Sequence, residues 1–157
     1  MASAICHLFG TIILIAVIAA LLPLTVPRFM GYEIYNVVSG SMEPEIPVGS
    51  IAYVQPAEPA LLEEGDVIAF MRDGSVVMHR VVGNHQVDGY LTTKGDANEM
   101  EDLNELYYED VIGLVVKHYP MLGQVMMIYT STMGKLLMLC LAVCGALLHV
   151  LAGRFRN

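Results

Sequence analysis

The chain has 157 residues, of which 55% are hydrophobic and only 15% charged, a balance that excludes an ordinary soluble domain and indicates membrane segments. All 16 acidic residues lie between Glu33 and Asp110, and this acidic middle part excludes a nucleic-acid partner because phosphate binding requires a basic surface. The three cysteines, Cys6, Cys140 and Cys144, lie outside the middle part, so the sequence implies no disulfide framework, metal site or cofactor there.

The first predicted element is a transmembrane helix over residues 5–26. This stretch has no charged side chain and is long enough to span the hydrocarbon core of a bilayer. A cleavable signal peptide, with its cleavage site near the small residues Ala19 and Ala20, is the alternative. We disfavour it because the stretch lacks a basic n-region and its apolar run exceeds a typical h-region.

A second apolar run predicts another transmembrane helix over residues 136–152, near the short limit for a span. Two spans place both termini on one side of the membrane, and the clustered Arg154 and Arg156 predict that this side is the cytoplasm. The acidic middle part is then extracytoplasmic. Cys140 and Cys144 are one helical turn apart, which indicates a helix-packing face, with a lipidated pair as the alternative.

Between the two helices, the sequence predicts a mostly β domain over residues 29–119. Alternating apolar and polar residues and β-branched runs predict six strands, at residues 32–38, 51–54, 67–71, 75–82, 90–93 and 111–116. Asp73-Gly74 is a strong hairpin signal between the third and fourth of them. The expected fold class is therefore a small β domain flanked by an N-terminal and a C-terminal transmembrane helix.

A serine-bearing turn is predicted where the first of these strands ends. Residues 37–44 close an apolar run with Ser39 and Ser41 on either side of Gly40, and Pro44 prevents the backbone from continuing as a helix. Turn serines ordinarily satisfy nearby backbone groups. A serine on such a turn becomes a nucleophile only where a base and an oxyanion donor adjoin it.

A histidine and two acids follow in the chain. The predicted strand alternation places Val77, His79 and Val81 on one face, where a lone histidine is more often a satisfied core residue. A neutral imidazole can accept the proton of a serine, and an acid bonded to its far nitrogen fixes the tautomer. Asp96 and Asp102 are the two acids available for that position.

Four motifs taken together carry a resemblance to a known family. They are SGSMEP at 39–44, GDVIAF at 65–70, HRVVG at 79–83 and KGDAN at 94–98. In this order they resemble the type I signal peptidases of the endoplasmic-reticulum type, which are found also in archaea and some Gram-positive bacteria. The resemblance covers roughly residues 34–113, and it implies a signal-peptidase-like β domain with Ser-His-Asp catalysis.

The resemblance also implies roles for individual residues. Ser41 would be the nucleophile, His79 the general base and Asp102 the acid of the triad, with Asp96 as a supporting or alternative acid. The Ser39 hydroxyl would complete the oxyanion hole together with the backbone N–H of Ser41, although a plain turn-capping role is the alternative for Ser39.

Two departures from the family pattern and one rival base remain. Glu101 and Ala97 stand where the family more often has Asp and Asn, which leaves the hydrogen bonding around Asp102 open. Lys94 is the rival base, because serine–lysine proteases of related fold use a buried amine. Burial would have to lower the pKa of Lys94 by several units, so an ion pair with an acid is the favoured role.

The expected function is a membrane-bound serine endopeptidase that removes N-terminal signal peptides from exported preproteins at the outer membrane face. About a dozen residues separate the first helix from Ser41, which keeps the hydroxyl near the membrane. The substrate would bind extended beside residues 35–39 and the His79 strand, with small side chains of the A-x-A type in shallow pockets. Its partners would be signal peptides, the lipid membrane and accessory membrane subunits.

Two other hypotheses stay open. The chain could be a non-catalytic membrane-tethered β domain that binds an exported partner, or a related protease with a different exported or self-derived substrate. The short, uncharged amino terminus favours a prokaryotic cell membrane over an endoplasmic-reticulum membrane.

Overall fold

A computed structural model describes residues 2–154, and the chain divides there into two compact units. One unit, Pro27–Gln124, contains a β sheet, and the other, formed by the chain segments before and after it in the sequence, contains most of the helical residues. Arg156, which was expected to help mark the cytoplasmic side, lies outside the described residues.

Residues 2–154 contain three α-helices: α1 (Ala2–Phe29), α2 (Leu122–Thr130) and α3 (Thr132–Arg154). Helices α1 and α3 are long and apolar enough to cross a membrane, and few of their residues are buried in the structure. They cover the two predicted spans, whereas α2 has no counterpart among the predicted elements. Ser131 separates α2 from α3, and its hydroxyl accepts the Gly134 N–H at 3.0 Å as a helix cap does.

Helices α1 and α3 contact each other through small and polar residues. A Cβ atom added to Gly10 would lie 3.0 Å from the carbonyl oxygen of Gly145, so the two backbones approach closely at this point. Toward the chain termini, the Nδ1 atoms of His7 and His149 share a hydrogen bond of 2.9 Å. Interhelical hydrogen bonds of this kind are one of the forces that associate membrane helices.

The sheet has seven strands, all paired antiparallel, in the spatial order β1-β2-β7-β3-β4-β5-β6. The mostly-β fold class with apolar terminal helices is confirmed, and each of the six predicted strands is present. Strand β6 was not predicted because two residues are too few to show an alternating pattern. The strand bounds are β1 (Glu33–Asn36), β2 (Ile51–Gln55), β3 (Val67–Arg72), β4 (Ser75–His85), β5 (Tyr90–Lys94), β6 (Leu106–Tyr107) and β7 (Val111–Tyr119).

The predicted hairpin at Asp73-Gly74 is confirmed and sets the register of β3 against β4. Asp73 and Gly74 have φ angles of 51° and 75°, the positive values that a two-residue turn of type I′ requires at both positions. Arg72 then lies opposite Ser75, and Ile68 lies opposite His79.

The two faces of the sheet bury different clusters. The first, called here the Phe70 face, is formed by Leu62, Ile68, Phe70, Val81, Leu91 and Leu106, and the second, the Met42 face, by Val37, Met42, Ile46 and Ala52. Val77 and Val81 pack on the Phe70 face, whereas Met78 packs on the Met42 face. The His79 ring meets the Phe70 ring edge-on, with centroids 6.0 Å apart. The predicted alternation of Val77, His79 and Val81 is therefore confirmed.

The strand register leaves two inner edges of the sheet open. Pairing of β4 with β5 begins at Arg80 opposite Lys94, so no strand in the described part of the chain pairs with Ser75–His79 on that side. Pairing of β7 with β3 ends at Leu114, which leaves Val115–Tyr119 without a strand partner on the β3 side within residues 2–154. The first of these edges belongs to β4, the strand that carries His79.

Candidate active site

Ser41 lies on a tight turn, as predicted. The Glu43 N–H donates to the Gly40 carbonyl at 3.0 Å and closes the turn around Ser41. The next residue, Met42, is only 1% exposed, and its carbonyl accepts the Ile46 N–H at 2.8 Å. Burial of Met42 in the core of the Met42 face therefore anchors the loop and leaves Ser41 itself half-buried.

A second turn, at residues 95–98, holds the Ser41 backbone. The Ala97 N–H donates to the Ser41 carbonyl at 2.9 Å, and the Asn98 N–H closes the turn on the Gly95 carbonyl at 2.9 Å. A Cβ atom at Gly95 would lie 2.7 Å from the Ser41 carbonyl oxygen and 2.8 Å from Asn98 Nδ2. Only glycine fits at this position, which gives the KGDAN motif a steric reason.

His79 and Asp102 form a buried pair. The Nδ1 atom of His79 lies 2.6 Å from Oδ2 of Asp102, and each side chain is 9% exposed. The Asp102 backbone is held in turn by β5, because its N–H donates to the Thr93 carbonyl at 2.8 Å. A carboxylate in this position fixes the imidazole tautomer and leaves the far ring nitrogen, Nε2, as an acceptor.

Two further side chains bind the same carboxylate oxygen. Thr93 Oγ1 donates to Asp102 Oδ2 at 2.6 Å, and Arg72 donates at 3.3 Å. Desolvation by burial opposes ionisation of Asp102. The hydrogen bonds from Thr93 and His79, with the nearby charge of Arg72, outweigh it and hold the pKa of this carboxyl below its ordinary value of 3.8. Asp102 therefore stays ionised at neutral pH.

Asp96 contacts an arginine instead of the histidine. Arg80 donates from Nε at 2.8 Å and from a terminal nitrogen at 2.5 Å to the two oxygens of Asp96, and it also donates to the Gly65 carbonyl at 2.7 Å. The hydrogen bond to Asp96 raises the pKa of Arg80. The expected ion pair of Lys94 is not formed within residues 2–154. Both acids have other partners: Asp96 binds Arg80, and Asp102 binds His79 and Arg72.

Ser39 and Ser41 line one wall of a small cleft, and β4 forms another. Its volume is about 70 Å³, and Val77 and Met78, the two residues that precede His79, belong to its lining. In the described part of the chain, no hydrogen bond joins the Ser41 hydroxyl to His79. The structure thus forms the His79–Asp102 pair completely and places Ser41 beside the open edge of the strand that bears His79.

Thr93 and Arg72 are the site residues that sequence reasoning did not find. Thr93 is fully buried, and it lies opposite Val81 on a strand whose other inward residue is Leu91. A threonine at an inward position of a strand is a usable signal, since its hydroxyl needs a partner. Arg72 gave no comparable signal.

For metals, residues 2–154 contain no cluster of three or more side chains suited to bind an ion.

The site supplies groups that a serine hydrolase requires: a turn serine in a cleft at an open strand edge, and a buried imidazole–carboxylate pair whose histidine lies on the strand that lines this cleft. The two apolar helices are compatible with membrane association.

Comparison with known proteins identifies the family. Over 89 residues, the chain is 39% identical to signal peptidase I W of Bacillus subtilis, a match that covers 54% of this chain and 47% of that protein. Over 122 residues, it is 31% identical to the signal peptidase complex catalytic subunit SEC11C of Homo sapiens, covering 70% of this chain and 63% of that protein. No family model matches the chain.

These relatives confirm the resemblance that the four motifs indicated. The chain belongs to the type I signal peptidases of the endoplasmic-reticulum type. It spans between about half and two thirds of the length of the curated relatives that it matches.

Proposed function

We propose that this chain is a membrane-bound serine endopeptidase that removes N-terminal signal peptides from exported preproteins. The observation that carries the proposal is the buried hydrogen bond of 2.6 Å between His79 and Asp102. His79 lies on β4, and the unpaired edge of this strand borders the cleft that contains Ser41. A histidine that only filled the core would not need an ionised carboxylate as its partner.

The mechanism follows from the roles that these groups can take. Ser41 Oγ attacks the scissile carbonyl carbon while Nε2 of His79 accepts the hydroxyl proton, and the developing oxyanion receives hydrogen bonds from the Ser41 N–H and the Ser39 hydroxyl. The imidazolium then protonates the leaving amine, and an acyl-enzyme remains on Ser41. Water, deprotonated by His79, attacks the ester and releases the signal peptide.

In this mechanism the two acids have separate tasks. Asp102 remains ionised and stabilises the imidazolium that forms at His79, which its lowered pKa favours. Asp96 binds Arg80 and, through its neighbour Ala97, belongs to the turn that holds the Ser41 carbonyl. The hydrogen bond between Ser41 and His79 forms when substrate binds, since catalytic hydrogen bonds are often long in free enzymes.

The substrate enters as an added strand. The open edge of Ser75–His79 and the segment Val37–Ser39 border the cleft, so an extended peptide between them can bond to the backbone on the β4 side. A cleft of about 70 Å³ accepts only small side chains, which agrees with cleavage sites of the A-x-A type.

The enzyme is anchored by α1 and α3. Arg154 at the end of α3 favours the cytoplasm for both termini, so the sheet unit is extracytoplasmic. Helix α1 ends at Phe29, and extended chain of about 3.3–3.6 Å per residue cannot carry Ser41 far from the outer membrane face. A prokaryotic cell membrane is the favoured location. Because the SEC11C relatives are named as subunits of a complex, accessory membrane subunits are proposed here also.

Cleavage of a preprotein by the purified full-length chain in detergent tests the proposal. Ser41→Ala and His79→Ala should each abolish cleavage, whereas His85→Ala, at the exposed far end of β4 where the strand pairs with β5, should leave it unchanged. Full activity in either of the first two variants would overturn the assignment. The non-catalytic binding function would be favoured instead if export of a partner protein requires the chain but proceeds normally with the Ser41→Ala variant.

A further inference from the structure

A second, larger groove lies along the open side of β7. Its volume is about 400 Å³, and it is separate from the Ser41 cleft although the two share Ile46 in their linings. We call it the β7 groove. Its lining is formed by Glu45, Ile46, Val67 and Val115–Tyr119.

The β7 groove presents unpaired backbone. On one side, Tyr119 to Leu114 of β7 pair with β2, whereas β3 pairs with β7 no further than Leu114. Just before β3, the Gly65 N–H donates to the Val81 carbonyl of β4 at 2.8 Å. Within residues 2–154 no segment bonds to the β3 side of residues 116–119. An extended peptide is the ligand that such an edge accommodates.

The β7 groove and the proposed catalytic cleft lie along the same loop. Both lie along the loop that carries Ser41: Met42 and Ile46 line the cleft, and Glu45 and Ile46 line the groove. Ile46 is 1% exposed and its N–H bonds to the Met42 carbonyl, so the shared wall is a fixed part of the loop. The cleft that contains Ser41 and the groove along β7 are therefore separated by one shared wall.

We propose that the β7 groove binds the segment of the preprotein that follows the scissile bond, as an extended strand added to the edge of β7. This inference rests on the proposed function, since it requires a preprotein held at Ser41. The signal-peptide side of the substrate occupies the edge of β4, and the mature side leaves past Ile46 toward Val115–Tyr119. The two open edges of the sheet then bind the two sides of one substrate.

The charges in the groove predict a preference within that segment. Lys117 is exposed and makes no ion pair in residues 2–154, whereas Arg72 and Arg80 of the same unit are bound to carboxylates. An acidic residue in the mature segment near Lys117 is therefore favoured over a basic one. For an exposed pair, the expected effect is about two- to fivefold in binding. Glu45 in the lining favours a basic residue at a different position of the segment.

Photo-crosslinking tests the location directly. The probe is a peptide with a fixed signal-peptide part and a mature segment of ten residues that carries one photoreactive side chain, and the protein is full-length Ser41→Ala in detergent. The crosslinks should map to residues 115–119. A probe whose mature segment ends after two residues, with the photoreactive side chain on the second, should not crosslink to residues 115–119. Crosslinks of the long probe that map elsewhere, or crosslinks of the short probe to residues 115–119, would overturn the proposal.

A charge-reversal variant supplies the second readout. Lys117→Glu should weaken binding of the ten-residue segment bearing Glu about two- to fivefold and strengthen binding of the segment bearing Lys, whereas Lys135→Glu in α3 should change neither. Equal binding of both segments by all three proteins would contradict the inference. Cleavage of the short peptide by the wild-type chain tests the proposed function separately, so the two failures are distinguishable.

Discussion

Replacing Asp102 by Asn changes one atom of the carboxylate that orders His79. The variant keeps the shape of the side chain but removes its negative charge. In the wild type, the charged Oδ2 atom accepts hydrogen bonds from His79 and Thr93, each at 2.6 Å. Without the charge, the imidazole loses the preference for the tautomer that leaves Nε2 free, and the imidazolium is no longer stabilised. Loss of a triad acid of this kind reduces kcat by about 10⁴-fold.

The stability of the Asp102→Asn variant should also change, and with a defined dependence on pH. A hydrogen bond to a charged group contributes about 1.5–3 kcal/mol, and the longer, partly exposed Arg72 contact contributes less than about 1 kcal/mol. We expect a loss of about 2 kcal/mol in the free energy of unfolding at pH 7. Because the folded-state pKa of Asp102 is lowered, this contribution is present above the ordinary value of 3.8 and is lost as the pH falls through the lower folded value.

The assay is the single-turnover cleavage rate of a preprotein, combined with denaturant unfolding at pH 7 and near pH 3. Asp96→Asn is the matched control, since it makes the same chemical change in the acid that binds Arg80. This control should lose stability while its cleavage rate falls by no more than about tenfold, because His79 keeps its partner. A larger rate loss in Asp96→Asn than in Asp102→Asn would refute the assignment of the two acids.

Two other outcomes are expected. Gly95→Ala should lower the cleavage rate and destabilise the fold by about 1–3 kcal/mol, because its Cβ would lie 2.7 Å from the Ser41 carbonyl oxygen. Unchanged thermal unfolding and activity would contradict the role of the turn at residues 95–98. Thr93→Val should lower the free energy of unfolding by about 1 kcal/mol and raise the pKa of Asp102. On acid titration, the stability of this variant should therefore decline at a higher pH than that of the wild type. Coincident titrations would refute the contribution of Thr93.

Local chemistry made several features predictable from the sequence. The turn at Ser41 follows from Gly40 and Pro44, which act within a few residues of it. The hairpin at Asp73-Gly74 requires two positive φ angles that these residues tolerate. The face on which His79 lies follows from strand alternation. Each of these inferences depends on residues that are close together in the chain.

Features that depend on distant parts of the chain were not predictable. Asp96 and Asp102 are six residues apart, and the choice between them depends on how the connection from Gly95 to Leu106 folds against β5. The contact of Arg72 with Asp102 joins residues 30 positions apart and needs the register of three strands. Likewise, no sequence pattern shows that β3 ends its pairing with β7 at Leu114 and leaves a groove there.

The measurement that tests the central claim most directly is the capture of the acyl-enzyme. A peptide ester with a small residue before the ester bond should acylate the wild-type chain faster than water deacylates it, so an acid quench followed by mass spectrometry should find the acyl group on the peptide that contains Ser41. The adduct should be absent in Ser41→Ala and should form far more slowly in His79→Ala. Hydrolysis of the ester by the Ser41→Ala variant at the wild-type rate, or an adduct on any other residue, would contradict the account.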